Sequence, residues 1–64
     1  MKYQVTCGNK VLGNFAAHDP KEAIGKAIAF QFTYNPMFDD PDTVFTVKES
    51  GKNVPAVTFT RKEI

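Results

Sequence analysis

Sixty-four residues suffice for one small domain, and a chain of that size buries only about 60% of the surface its unfolded form exposes. A single cysteine, Cys7, excludes an internal disulfide and any cysteine-rich zinc site, and a single histidine, His18, excludes a multi-histidine centre. Eight basic and seven acidic side chains, spread along the chain, leave a formal charge of +1 and none of the concentrated positive charge of phosphate-backbone binders.

The first seven residues alternate. Met1, Tyr3, Val5 and Cys7 point one way and Lys2, Gln4 and Thr6 the other, as a pleated strand requires. Strand character from the start leaves no room for a signal peptide's apolar stretch, and the longest nearly apolar run, residues 27–30, is far short of a membrane span. A soluble, cytoplasmic protein is expected. Gly8-Asn9-Lys10 is a turn, and residues 11–17 return as a second strand with Val11, Gly13, Phe15 and Ala17 on one face. Gly13 there suggests a bulge or a close helix approach.

Asp19-Pro20-Lys21-Glu22 is a helix start: Asp19 at the N-cap, Pro20 at the first helical position, and Glu22 spaced as in a capping box. A helix through roughly Phe32 sets Ala23, Ile24, Ala27, Ile28 and Phe32 on one face, with Ile24 and Ile28 as anchors. Residues 33–42 hold two prolines and three aspartates and form a long connection. A second hairpin follows: residues 43–49, a turn at Ser50-Gly51-Lys52-Asn53, and residues 54–60, with Pro55 tolerable only near a strand start or on an edge.

The expected fold is therefore α+β, a two-layer ββαββ domain with one helix on a four-stranded mixed sheet. A right-handed crossover favours the strand order 2-1-4-3, with strands one and four parallel in the centre and strands two and three at the edges. The other order is 2-1-3-4. The first arrangement is similar to the β-grasp, whose short bacterial immunoglobulin-binding members have comparable length. A Met-x-Tyr start and the stretch Phe45-Thr46-Val47-Lys48-Glu49 resemble those domains, but here that stretch falls on the third strand. Neither function nor binding residues are carried over.

The aromatic stretch at residues 30–38 is the densest candidate site, with four aromatics and Met37 in nine positions. One helix over a small sheet cannot easily bury them all. Tyr34, Met37 and Phe38 are therefore the expected partner-binding patch, for a foreign protein or a second copy in a homodimer. Packing of Phe30, Phe32 and Phe38 beneath the loop is the competing arrangement.

Lys2, Lys48, Arg61 and Lys62 are the candidates for weak nucleic-acid binding. The aromatics Tyr3, Phe15, Phe45 and Phe59 share the helix-facing phase, however, which argues against a base-stacking sheet. That leaves Lys2, Gln4, Thr6, Asn14, Thr46, Lys48, Thr58 and Thr60 for the outer face.

Asp39, Asp40 and Asp42 lack the turn glycine and spacing of a calcium loop. Asp19, beside His18, is already taken up as the helix cap, Ser50, the only serine, lies in a distant turn, and Cys7 falls on the inner face. No cofactor, metal or catalytic residue is expected. The sequence describes a non-enzymatic interaction or regulatory domain that binds through the aromatic segment or an edge strand.

Overall fold

The computed structural model describes residues 1–30 and 36–64, with Pro36 and Met37 described by backbone alone. Its elements are β1 (Lys2–Cys7), β2 (Lys10–Ala16), α1 (Pro20–Ala29), a 3-10 turn η1 (Pro36–Asp39), β3 (Val44–Glu49), β4 (Val57–Thr60) and a 3-10 turn η2 (Arg61–Glu63). One helix packs on a four-stranded sheet, the two-layer ββαββ arrangement that the sequence implies. The order is β2-β1-β3-β4, and every neighbouring pair is antiparallel.

Of the two orders the sequence allows, 2-1-3-4 is the one formed. The 2-1-4-3 order, with its parallel central pair and β-grasp likeness, is not. Burial explains the choice. Phe45 and Val47 of β3 are 0% and 1% exposed, which suits a strand with neighbours on both sides. The four-residue β4 follows Pro55 and suits an edge. The edges are thus β2 and β4, not the second and third strands.

In β1 the expected alternation holds: Tyr3, Val5 and Cys7 are buried while Lys2 and Gln4 are exposed. Pairing along β2 shifts register between Val5 and Thr6: Val5 faces Gly13 and Thr6 faces Val11, leaving Leu12 extra. This bulge turns Val11 out to 55% exposure and lets Leu12 pack on the core. The expected inward Val11 is thereby corrected. Gly13 supplies the bulge's positive φ of 138°, and the Phe15 ring lies 3.4 Å from where a Cβ would stand.

Asp19 caps α1, its carboxylate accepting from Glu22 N–H at 2.8 Å. Glu22 reciprocates one residue further out, accepting from His18 N–H at 3.1 Å. Ala23, Ile24 and Ala27 face the sheet fully buried, whereas Ile28 is only partly buried. The alanines carry no bulk beyond Cβ, so the helix can lie close to β1, β2 and β3. It ends at Ala29 with Phe30 as C-cap, earlier than residue 32. The expected inward position of Phe32 lies outside the described residues. No helix among the described residues is long and apolar enough to cross a membrane.

Candidate interaction surface

The helix leaves β4 poorly covered. Its main reach there is Lys21, whose Nζ sits 5.6 Å from the centroid of the Phe59 ring. Val57 shares the helix-side face with Phe59, as its pairing with Val47 requires, yet is 45% exposed. Val54, just before the strand, is 39% exposed. Val57 and Phe59 therefore form a short apolar strip beside the helix at the sheet edge.

The two edges differ in how they are closed. On β2, Lys10 opens a bulged strand, and the Lys26 ammonium donates to the carbonyl of Ala16. Ala17 N–H bonds to Met1 C=O at 2.9 Å. Alternate positions along an antiparallel pair exchange bonds, so Asn14 and Ala16 point their backbones outward, and Lys26 covers the Ala16 carbonyl. A bulge, a lysine and a capped carbonyl are the usual guards against strand addition.

β4 lacks the bulge and the lysine, and its guards are its four-residue length, the preceding Pro55 and Glu63. Arg61 N–H donates to Thr43 C=O at 2.8 Å. The same alternation aims Phe59 and Val57 at β3 and turns Thr58 and Thr60 outward. Glu63 covers the Thr60 amide, accepting from its N–H at 3.1 Å. The backbone N–H and C=O of Thr58 have no partner among the described residues. Residues 53–60 carry no charged side chain. Thr58 is thus an open donor–acceptor pair on an uncharged edge.

Of the three residues expected to bind a partner, only Phe38 has a described side chain. Phe38 is 6% exposed, with its ring 6.1 Å from that of Phe45. Arg61 fixes it there, donating from Nε to the Phe38 carbonyl at 2.6 Å. Phe38 is therefore a core residue, because η1 folds it back over β3. Tyr34 and the side chain of Met37 lie outside the described residues. Phe30, expected to pack inward in the competing arrangement, is 65% exposed at the helix C-cap.

The outer sheet face carries the eight residues expected there. Thr6, Thr46 and Thr58 form one row across β1, β3 and β4. Lys2 and Lys48 lie at the end of the sheet where β1 begins, and Arg61 and Lys62 lie at the other, beyond β4. The four cations therefore do not converge. A polar hollow of about 400 Å³ on this face is lined by Gln4, Asn14, Lys48, Ser50 and Lys52 among others. Ser50 Oγ there donates to Asn14 Oδ1 at 2.7 Å.

Cys7 is buried, and burial pushes its thiol pKa up. Asp40 is spent in a turn, accepting from Asp42 N–H at 2.9 Å. No three His, Cys, Asp or Glu side chains among the described residues converge as a metal site would need.

Sequence reasoning missed the inequality of the edges. The signal was present in the uncharged run of residues 53–60, set against Lys10 and Gly13 in the second strand. Comparison with family models, curated proteins and solved structures returns no match to this chain.

Proposed function

We propose that this chain is a small non-enzymatic interaction domain that takes up an extended segment of a partner protein at the edge of β4. The observation that supports it most is the coincidence, on one edge, of open Thr58 backbone groups and the half-exposed Val57. Strand addition draws affinity from main-chain hydrogen bonds and selectivity from alternate side chains. Here Thr58 supplies the first, and the Val57–Phe59 strip supplies the second. The domain works in the cytoplasm, where a lone thiol such as Cys7 stays reduced.

The test is selection of displayed β-forming peptides against the folded chain, repeated on Thr58→Pro. That substitution deletes an amide that β3 does not use, so the sheet keeps its own bonds. Binders should lose affinity for Thr58→Pro and for Val57→Lys while both variants keep the native circular dichroism. Binders indifferent to both substitutions would place recognition elsewhere.

A further inference from the structure

We propose that the segment taken up by β4 is β4 of a second copy, joined antiparallel about a two-fold axis at Thr58. This names the partner of the edge just described and rests on that reading. Backbone phase limits the ways in which β4 can pair with itself. Its outward groups belong to Thr58 and Thr60, so the close self-pairings are Thr58 with Thr58, Thr58 with Thr60, or Thr60 with Thr60. Glu63 already holds the Thr60 N–H. The second and third pairings would leave a Thr58 or Thr60 carbonyl facing that occupied donor, whereas in the first Thr60 falls opposite Ala56, outside the strand. In the first, each Thr58 exchanges both of its bonds with its mate. Glu63 therefore selects the register.

The same register is favourable on both faces. On the helix side it sets Val57 of one copy opposite Phe59 of the other, in the close, non-hydrogen-bonded position. An aromatic ring against a β-branched side chain is a stabilising cross-strand pair, and it covers the exposed Val57. On the outer face the row Thr6, Thr46, Thr58 continues without a break into the same three residues of the second copy. The paired strands, Val57–Thr60, hold no charged side chain, so no like charges meet. Both helices lie on one side of the resulting eight-stranded sheet, flanking a trough floored by Val57 and Phe59.

Area sets the strength. A standard stable interface takes roughly 800 Å² per partner, about a fifth of the 4294 Å² this chain exposes. One short edge and its flanking strip cover less, so the dimer is weak and concentration-dependent.

Sedimentation equilibrium over a concentration series tests this directly. The mass should rise from 7.1 kDa towards twice that value. Thr58→Pro should weaken association about twenty-fivefold, from two symmetric backbone bonds at roughly fivefold each. Because Thr58→Pro could also disturb folding, two further variants read the same contact. Val57→Lys should abolish dimers, and Thr58→Cys should oxidise to a covalent dimer faster than Thr60→Cys, since Cα atoms in such a pair stand about 5.5 Å apart. A chain of single mass at every concentration overturns the proposal, as does a dimer indifferent to Thr58→Pro and Val57→Lys. A monomer that still binds displayed strands through Thr58 overturns the second copy as partner while the edge reading stands.

Discussion

Glu63 closes the amide of Thr60 and leaves that of Thr58 open: its Oε1 accepts from Thr60 N–H at 3.1 Å and from Thr60 Oγ1 at 2.7 Å. A single carboxylate thereby divides the outer strand into a sealed end and an available one. The guard is acidic and exposed, so it responds to pH.

The Thr60 hydroxyl, and then its amide, hold the Glu63 carboxyl below the ordinary glutamate range. A lowered folded value means that the η2 turn is stabilised above the unfolded glutamate value, about 4.3. That stabilisation is lost as pH falls through the lower folded value. The Thr60 amide resonance should therefore move in acid with a midpoint below that of a free glutamate, and Glu63→Gln should abolish the movement. An amide that ignores acid would mean the bonds are not made.

Phe38→Ala should cost about 3–5 kcal/mol, as expected for an aromatic removed from a core. A domain of this length has a total stability of roughly 3–10 kcal/mol, so the variant should lose a large share of it. Phe30→Ala, at an exposed cap, should stay within about 0.5 kcal/mol of the parent. Urea denaturation of the two variants reads the difference, and equal effects would contradict the placement of either ring.

Along the helix the cost should follow burial rather than residue type. Ile24→Ala should cost about 2–5 kcal/mol and Ile28→Ala distinctly less, because Ile24 is fully enclosed and Ile28 is not. Asp19→Ala should cost about 1 kcal/mol through loss of the cap. Thermal melts of the three would expose a wrong helix face if Ile28 proved the more sensitive.

Cys7 should resist alkylation in the native state at neutral pH, since burial raises its thiol pKa and bars the reagent. Labelling should accelerate with urea in step with global unfolding. Fast native labelling would place the thiol at the surface.

Local chemistry was legible in the sequence, whereas choices between equivalent partners were not. The alternation at Tyr3, Val5 and Cys7 and the cap at Asp19 are set by near neighbours, and both stand as expected. The bulge at Leu12 was flagged only by Gly13. Its consequence, an outward Val11, depends on which residue the register skips, and that is settled across strands. Strand order was ambiguous because the third and fourth strands both alternate. What separates them is that the buried Phe45 and Val47 suit a strand with neighbours on both sides, while Pro55 precedes the strand left at the rim. The aromatic excess misled in one respect: Phe38 turns inward where η1 folds back over β3, a turn that Arg61, far along the chain, ties down at the Phe38 carbonyl. The open edge at Thr58 is a matter of hydrogen-bond phase, which follows from strand pairing and not from residue type.

The most direct measurement is a set of amide spectra of the isotope-labelled chain recorded over a wide concentration range. The resonances of Val57, Thr58, Phe59 and Thr60 should shift together, with Thr58 moving most, while Asn14 and Ala16 at the guarded β2 edge stay fixed. Shifts confined to β2 or to residues 31–38, with β4 unmoved, would contradict an interaction surface built on Thr58.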